Sequence, residues 1–311
     1  MNSARIVVAG SLNADLTIYT DRLPQPGETL HGHGFAVNPG GKSANQAVAA
    51  ARLGGDTALL GAVGSDANGD MLLASVSGAG VDTGRIRRAD APTGVAVISV
   101  DAHAENTIII DAGANGTLTP ADLDPAAFAG AAVVCLCLEV PPPTVTAAAR
   151  LGHDAGATVL LNLSPYAAVD DELVRYCDVL LVNAHEAAQF LDVPALPGAD
   201  AAAGEWAPVA EALTARGIPN ALVTLGSQGS VVLATGGEPV RVAPTTVAAV
   251  DTTGAGDAFT GAVAARLAAG DALVDAARYA SVAAALATTK CGTQAAYPTA
   301  EEVEDALALH G

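Results

Sequence analysis

The sequence feature that most constrains this chain is a run of small residues, DTTGAGD at 251–257, placed directly before an alanine-rich segment. Such residues cannot fill a hydrophobic core, but they allow backbone N–H groups to crowd around a ligand where a helix begins. Unpaired N–H groups and the positive end of the helix dipole both favour a bound anion, and phosphoryl oxygens are suitable guests. The run therefore predicts an anion site at a helix N-terminus.

Asp257 ends this turn, and a carboxylate is an unexpected neighbour for an anion. It becomes useful if it takes a proton from an attacking hydroxyl while the backbone amides hold the developing charge. The alternative interpretation is a helix start with a tight entry turn. For an isolated Gly-x-Gly-Asp string that alternative would be favoured.

The longer string, DTTGAGDAF at 251–259, resembles the C-terminal signature of the ribokinase-like (PfkB) family of carbohydrate and nucleoside kinases. The resemblance implies that Asp257 is the catalytic base for the acceptor hydroxyl. It implies an anion hole made by the amides of Gly254, Ala255 and Gly256. It also implies an α/β fold of the three-layer α/β/α ribokinase-like type, with a small β-sheet as a lid over the sugar.

Composition and charge argue against several other classes of protein. The formal net charge is −19 and the pI is about 4.4, whereas a nucleic-acid surface needs clustered Lys and Arg. Apolar windows of about 18 residues, which would predict a membrane span, are not found. The first residues lack the charged head and apolar body of a signal peptide. We therefore expect a cytoplasmic protein that binds neither nucleic acid nor membranes.

Apolar segments along the chain predict a single domain over residues 1–311, in which buried strands alternate with helices. Two β-like patches, at about 13–38 and 93–111, interrupt this order and predict a small sheet that stands off the main domain. The resemblance implies that this sheet is the lid. The other predicted strands are at 5–10, 57–63, 132–138, 158–162, 179–182, 221–225, 230–234 and 239–243. The predicted helices are at 67–79, 120–129, 142–156, 257–269 and 272–289, with one more that follows residues 38–46 and runs through Ala51 and one that ends at Arg216.

Polar residues follow the first predicted strand, in the string GSLNAD at 10–15. Asn13 and Asp15 carry amide and carboxylate groups suited to sugar hydroxyls, although such residues after a strand are usually turn formers. A dinucleotide fold would require Gly-x-Gly-x-x-Gly here, and only Gly10 is present, which disfavours a nicotinamide oxidoreductase. The string resembles the first substrate segment of the family, which implies that Asn13 and Asp15 contact the sugar.

Residues 38–46 (NPGGKSANQ) contain Gly-Lys-Ser, the end of a Walker A motif. The Walker spacing would require glycine at position 36, which is Ala36, so a nucleotide P-loop is not predicted. Lys42 is one of two lysines in a chain with twelve arginines, which favours a function for it. The string resembles the family's sugar-binding segment, and the implied substrate contacts are Gly40, Gly41, Lys42 and Asn45.

Four further residues are considered with the predicted sugar site. Glu139 ends the strand 132–138, where a carboxylate faces the ligand crevice of an open sheet. The resemblance implies a substrate contact, and an exposed loop glutamate is the alternative. Ser43 replaces the family's glycine and could crowd the sugar or add a hydrogen bond. Cys135 and Cys137 lie two apart in a strand, so they share a face and are expected to pack rather than react.

The resemblance also implies ATP and Mg²⁺ sites. NAHE at 183–186 resembles the family's Asn-x-x-Glu motif, which implies that Glu186 helps to hold Mg²⁺ through water near the phosphates, although a helix capping box would look similar. TLGSQG at 224–229 resembles the nucleotide segment. The implied ATP contacts are Asn183, Thr224, Leu225, Gly226, Ser227, Gln228, Gly229, Gly256 and Asp257.

A loop at 288–294 resembles the part of the family that binds a monovalent cation such as K⁺. One position that is usually serine is Ala296 in this chain. The implied ligands, mostly backbone carbonyls, are Asp251, Thr253, Ala287, Lys290, Gly292 and Ala296.

Together these matches imply an ATP-dependent kinase that phosphorylates the 5-hydroxyl of ribose. A nucleoside such as adenosine, 2-deoxyribose or a hexose such as fructose is the alternative acceptor. Nucleoside kinases usually place aromatics against the base, and the first part of the lid offers only Tyr19 and Phe35. A non-catalytic sugar-binding regulator is disfavoured by the intact Asp257. Because a small sheet leaves its edges exposed, we also expect a homodimer formed through the lid.

Overall fold

The computed structural model describes residues 4–103 and 105–310, and the strands within these ranges form two sheets. The strands are β1 (Arg5–Ala9), β2 (Asn13–Tyr19), β3 (His33–Gly40), β4 (Asp56–Gly64), β5 (Asp82–Ala89), β6 (Gly94–Val100), β7 (Asn106–Asp111), β8 (Ala131–Leu136), β9 (Thr158–Asn162), β10 (Val179–Asn183), β11 (Asn220–Thr224), β12 (Ser230–Ala234) and β13 (Val240–Val242).

Helices separate many of the strands of the large sheet, and the last three helices of the described ranges follow one another without an intervening strand. The helices are α1 (Lys42–Arg52), α2 (Ala67–Gly78), α3 (Pro142–Asp154), α4 (Asp171–Arg175), α5 (Ala184–Leu191), α6 (Ala207–Ala215), α7 (Ala255–Ala268), α8 (Leu273–Ala287) and α9 (Ala300–His310). In the described ranges no helix has both the length and the apolar character needed to cross a bilayer.

The large sheet has the strand order β13-β12-β11-β10-β9-β8-β1-β4-β5. Its strands from β11 to β5 are parallel, while β12 pairs antiparallel with β11 and β13 pairs antiparallel with β12. Alternate residues of β1 enter two different cores: Ile6 and Val8 pack on one face, and Val7 and Ala9 on the other. Helices α1, α7 and α8 cover the first face and α3, α5 and α6 the second, so the sheet is buried on both sides.

The small sheet consists of β3, β2, β6 and β7 in that order. Its central pair, β2 and β6, is parallel, and the outer strands β3 and β7 pair antiparallel. Unlike the large sheet, it keeps many apolar side chains exposed, including Ile109, which is 72% exposed.

Two parts of the predicted element order are corrected by the structure. The predicted helix at 120–129 is replaced by two short 3₁₀ turns, Pro120–Asp122 and Pro125–Ala127. Pro125 has no N–H to continue a helix, and Asp124 caps the turn that begins there. Strand β5 was not predicted because its arginines give it a polar pattern. These arginines form ion pairs across its exposed side, Arg85–Asp124, Arg87–Asp122 and Arg88–Asp70.

Candidate active site

The candidate site lies at the carboxyl ends of the parallel strands, where loops after β1, β8, β10 and β11 meet. Ser11 and Asn13 follow β1, Glu139 follows β8, and Asn183 and Thr224 end β10 and β11. Because these strands are parallel, their ends share one edge of the sheet, which is where open α/β sheets bind ligands. The small sheet joins this edge through β2.

Asp257 lies at the centre of this edge, in the first turn of α7, and is only 6% exposed. Its Oδ2 accepts a hydrogen bond of 2.9 Å from Nδ2 of Asn45, and its Oδ1 accepts one of 3.1 Å from Nε2 of Gln46. Both donors lie on α1, which packs against α7. An ionised carboxylate can only accept hydrogen bonds, so this arrangement suits the charged form that a general base requires.

The turn before α7 has the geometry predicted from its glycines. Gly254 adopts a left-handed conformation with φ of 75°, and an added Cβ would lie 2.3 Å from Cγ2 of Thr293. The hydroxyl of Tyr297 donates a hydrogen bond of 3.2 Å to the Gly254 carbonyl, which helps to hold the turn in place. The amide of Ala255 donates to the Thr252 carbonyl at 3.2 Å, so it would have to exchange that partner for a phosphoryl oxygen.

Charged groups beside Asp257 strongly influence one another. Burial, with repulsion from Glu139 and Asp257, raises the pKa of Asp15 to about 7. Burial also raises the pKa of Glu139, although hydrogen bonds oppose it. For Lys42, burial acts to lower the pKa, but Asp257 and Glu139 outweigh it and raise the pKa. The ammonium of Lys42 therefore stays charged among carboxylates, where it can donate to sugar hydroxyls.

Glu139 is held in place by the first sugar segment and by α1. Its Oε2 accepts hydrogen bonds from Ser11 Oγ at 2.6 Å, from the Lys42 amide at 3.0 Å and from Asn13 Nδ2 at 3.4 Å. The Asp15 carboxylate lies close to Gly40, which is possible because glycine has no Cβ. An added Cβ would lie 2.1 Å from Asp15 Oδ2. The structure thus brings together Asn13, Asp15, Gly40, Lys42 and Glu139 as the sequence predicted, and their contact with a sugar stays a prediction.

Two residues of the GGKSANQ segment have partners that the sequence did not indicate. The Ser43 hydroxyl is fully buried and lies 3.1 Å from Cys137 Sγ, so it packs beneath the loop instead of facing a sugar. Asn45 donates to Asp257 and accepts a hydrogen bond of 3.0 Å from Gln294 Nε2. The second N–H of the Asn45 amide and the second lone pair of its Oδ1 are then available for a substrate.

A cavity of about 380 Å³ beside the turn of α7 provides space for a nucleotide. It is lined by predicted nucleotide residues and, opposite them, by the loop 244–247 and by helices α7 and α8. The predicted residues that line it are Thr224, Gly226, Ser227, Gly229 and Gly256. A second cavity of about 230 Å³ shares Thr224, Ala255 and Gly256 with it and extends to Lys42, Asn183, Glu186 and Asp257. The acceptor residues and the nucleotide space are therefore neighbours across Gly256.

Leu225 and Gln228 do not line the larger cavity, although they were predicted as nucleotide contacts. The Leu225 side chain packs against the core under α5 and α6, and its amide donates to the Gly229 carbonyl at 2.8 Å. The Gln228 carbonyl accepts a hydrogen bond from Arg241. Both residues therefore stabilise the turn from Gly226 to Gly229 and do not line the larger cavity.

Asn183 and Glu186 form a helix capping box, the alternative interpretation of their motif. Asn183 Oδ1 accepts from the Glu186 amide at 2.8 Å, and Glu186 Oε2 accepts from the Asn183 amide at 2.9 Å. Glu186 nevertheless lines the smaller cavity with Asp257. Clusters of three or more metal-ligating side chains do not occur in the described part of the chain. A single carboxylate beside space for phosphates fits Mg²⁺, which commonly keeps several waters.

Asp251 connects the two loops predicted to hold a monovalent cation. Its oxygens accept hydrogen bonds of 2.9 Å from the amides of Thr253 and Gly292. Burial opposes its ionisation, but these amides outweigh burial and lower the pKa of Asp251. Ala296 is buried, and its amide donates to the Thr293 carbonyl at 3.1 Å. Carbonyl and carboxylate oxygens would fit an alkali cation, and the proposed ligands Ala287, Lys290 and Gly292 stay predictions.

Five residues that support the site were not predicted to do so: Ser11, Gln46, Asn115, Gln294 and Tyr297. Asn115 is buried and joins the small sheet to the first sugar segment, accepting from the Leu12 amide at 3.0 Å and donating to Asn13 Oδ1 at 2.7 Å. Ser11 and Gln46 lie inside recognised motifs, which was the available signal. For Gln294 and Tyr297 the contacts depend on tertiary structure alone.

Comparison with known proteins agrees with this geometry. The family described as pfkB family carbohydrate kinase matches residues 3–300. The chain is 37% identical over 318 aligned residues to a ribokinase from Schizosaccharomyces pombe, with 98% of both chains covered. It is 35% identical over 309 residues to a deoxyribokinase from Salmonella typhi, with 98% of this chain and 99% of that one covered.

Among solved structures, a ribokinase from Arabidopsis thaliana complexed with ribose and ATP is similar with a TM-score of 0.90 and 31% identity. That alignment covers 98% of this chain and 99% of the other. The predicted three-layer α/β/α fold with an additional small sheet is confirmed by this similarity.

Proposed function

This chain belongs to the pfkB family of carbohydrate kinases and is an ATP-dependent sugar kinase, and we propose that it phosphorylates the 5-hydroxyl of D-ribose. The observation that carries the proposal is the position of Asp257. Its buried carboxylate lies beside the predicted sugar residues and lines a cavity that is also lined by the predicted anion turn, residues 254–256. A base placed between an acceptor and a phosphoryl donor is what an in-line transfer requires.

In the proposed reaction the sugar lies against Asn13, Asp15, Lys42 and Glu139, beneath the small sheet. Asp257 accepts the proton of the primary hydroxyl as its oxygen attacks the terminal phosphoryl group of ATP. Amides of residues 254–256 hold the charge on the transferred group. Lys42 donates to sugar oxygens and balances the carboxylates around the acceptor.

We assign two ions to this reaction, following the sequence prediction. Glu186 would hold Mg²⁺ through water, and the ion when bound would neutralise charge on the nucleotide phosphates. The loops joined by Asp251 would hold K⁺ through backbone carbonyls. Because its substrates are ATP and a free sugar, we place the enzyme in the cytoplasm.

A steady-state panel tests the acceptor. With ATP and Mg²⁺, we expect kcat/KM to be highest for D-ribose when compared with 2-deoxyribose, fructose and adenosine. Removal of K⁺ should lower the rate. A chain that turns over none of these acceptors would contradict the proposal, and one that prefers adenosine would move it to a nucleoside kinase.

The second candidate acceptor is 2-deoxyribose, because the similarity to the Salmonella deoxyribokinase covers nearly both whole chains. Its 35% identity is close to that of the Schizosaccharomyces ribokinase. The same panel decides between them. A kcat/KM for 2-deoxyribose above that for ribose would favour this candidate.

We further propose that two copies pair through the small sheet. Leu16, Val37, Val97 and Ile109 lie in one cross-strand row, on the face opposite Asp15. Exposed apolar rows of this kind usually mark an interface. Because the covering surface would be the same row of a second copy, the pairing closes with two-fold symmetry.

Light scattering at micromolar concentration tests this pairing, and we expect twice the mass of one chain. Ile109→Glu should shift the protein to a monomer. Leu309→Glu, which changes an exposed leucine on α9, is the matched control and should leave the dimer intact. A wild-type monomer would refute lid pairing without affecting the kinase assignment.

A further inference from the structure

A directional chain of buried hydrogen bonds ends on Asp257. On one arm, Cys135 Sγ donates to Gln46 Oε1 at 3.3 Å, and Gln46 Nε2 donates to Asp257 Oδ1 at 3.1 Å. On the other arm, Ser75 Oγ donates to Gln294 Oε1 at 2.7 Å, and Gln294 Nε2 donates to Asn45 Oδ1 at 3.0 Å. Asn45 then donates to Asp257.

The direction of both arms is dictated by the carboxylate. Because ionised Asp257 can only accept, Asn45 and Gln46 must turn their NH₂ groups toward it. Their own oxygens then need donors, because buried polar groups are almost always hydrogen-bonded. Gln294 and Cys135 do so. Reversing either amide would place an oxygen against the carboxylate and leave buried groups unpaired, which is costly.

We propose that Gln46 is a positioning residue for the base, and that Gln294 positions the same base through Asn45. Gln46 is completely buried behind Asp257, so it acts through the carboxylate and not on the sugar or the nucleotide. Two N–H donors on different oxygens fix the plane of the carboxylate and favour its charged form. The role in catalysis rests on the proposed kinase function, whereas the effect on Asp257 does not.

Other charged or titratable groups face Asp257 and set the background for its protonation. Lys42 attracts the Asp257 carboxylate, Asp15 and Glu139 repel it, and Glu186 lines the same cavity. Cys135 and Tyr297 are buried nearby and raised in pKa by burial, so they remain neutral. Cys135 loses its acceptor in Gln46→Met but stays neutral, and in the described part of the chain the other groups named are not hydrogen-bond partners of Gln46 or Gln294. A change in protonation would therefore report the lost N–H donor.

The test uses Gln46→Met and Gln294→Met, which keep side-chain length and remove the donors. For Gln46→Met we expect kcat to fall about tenfold and the acid limb of the kcat–pH profile to move up by about one pH unit, since one hydrogen bond to a charged group is lost. The sign follows because losing a donor to the charged form favours protonation. Sugar KM and ATP affinity should stay within about twofold. Gln294→Met should shift the profile in the same direction by less.

Val48→Ala is the matched control, because Val48 is buried on the same helix α1 but packs in the hydrophobic core. It should lower the melting temperature and leave the pH profile in place. A direct readout needs no turnover: in protein carrying ¹³C-labelled aspartate, with the Asp257 signal assigned through Asp257→Asn, Gln46→Met should move that carboxyl titration to higher pH by about one unit.

An unshifted titration and an unshifted profile in folded Gln46→Met and Gln294→Met would overturn the positioning role. Wild-type protein that phosphorylates no sugar would instead overturn the proposed function, and the labelled-carboxyl titration would still decide the role of Gln46.

Discussion

The two halves of the cleft are built in different ways. On the proposed acceptor side, polar groups hold one another: Asn45 and Gln46 hold Asp257, and Ser11 and the Lys42 amide hold Glu139. On the nucleotide side, the lining consists largely of small residues and backbone, and Gly226 and Ser227 are exposed. The first half is fixed before a ligand arrives, while the second presents backbone atoms to it.

This difference indicates where selectivity resides. A buried, paired set of polar groups discriminates among acceptors, because a wrong one leaves groups unpaired. A backbone-lined turn recognises phosphates by shape and N–H groups and depends little on side-chain identity. Substitutions on the acceptor side should therefore affect turnover or sugar binding and leave nucleotide affinity intact, and those on the nucleotide side should do the reverse.

The largest expected effect is that of Asp257→Asn, which removes the base and preserves its shape. Turnover should fall by at least about a hundredfold, the usual contribution of a general base. ATP affinity, measured by calorimetry without sugar, should be nearly unchanged because the nucleotide cavity is intact. Near-normal turnover in this variant would show that another group takes the proton.

Lys42→Ala should have the next largest effect, and it separates the sugar site from a nucleotide P-loop. Without this ammonium, Asp15, Glu139 and Asp257 repel one another and the sugar loses a donor. We expect the KM for sugar to rise at least about tenfold, as a charged hydrogen bond is lost. ATP affinity should hold.

Arg278→Ala is the control for Lys42→Ala, because it removes one positive charge from an exposed ion pair with Asp275. Arg278→Ala should leave both the KM for sugar and the affinity for ATP unchanged. Loss of ATP affinity in Lys42→Ala with sugar binding retained would mean that residues 38–46 serve the nucleotide.

Gly256→Ala should affect the other half of the cleft. A Cβ at this position meets no atom within 4 Å, so the protein should fold normally. In a helix, alanine is even favoured over glycine by about 0.5–1 kcal/mol. The methyl group would enter the space shared by the two cavities, and we expect kcat/KM for ATP to fall about tenfold. Unchanged ATP kinetics, or a selective loss of sugar affinity, would place the phosphates elsewhere.

The last prediction concerns stability rather than activity, through Asp15. Its folded pKa of about 7 lies above the ordinary 3.8, so the folded protein keeps a proton that the unfolded chain loses. Stability from this group is present below the unfolded value and is lost as pH rises through about 7. Asp15→Asn imitates the protonated form at every pH. The variant should therefore be more stable than the wild type, and the difference in unfolding free energy should grow as pH rises from 3.8 to about 7.

Urea unfolding at several pH values measures this advantage, which should level off above pH 7 at no more than about 4 kcal/mol. The same variant should bind sugar poorly. A stability difference that does not vary with pH would show that Asp15 is ionised throughout.

The sequence predicted the fold and most of the residues at the cleft because both depend on local strings. Alternating apolar segments marked the large sheet, and GGKSANQ and DTTGAGDAF marked the two loops that meet at Asp257. What it could not predict comes from tertiary contacts. Gln294 reaches Asn45 only when the loop after α8 packs beside α1, and no local pattern relates the two residues.

Similar reasons explain the other differences. The arginines of β5 gave it a polar pattern, although ion pairs with neighbouring aspartates satisfy them. The sequence relates Ser43 only to its neighbours along the chain, whereas its partner Cys137 directly follows β8, far from it in sequence. Leu225 belongs to a nucleotide string, but its side chain packs against the same core as Ala221 and Val223 of β11.

The most direct test of sugar phosphorylation at this cleft is to identify the product. Wild-type protein incubated with ATP, Mg²⁺ and D-ribose should yield a phosphomonoester whose ³¹P signal couples to the C5 protons of the sugar. Asp257→Asn under the same conditions should yield almost none. ATP hydrolysis without a sugar phosphate, or a phosphate on another carbon, would contradict the assignment of the 5-hydroxyl as the acceptor.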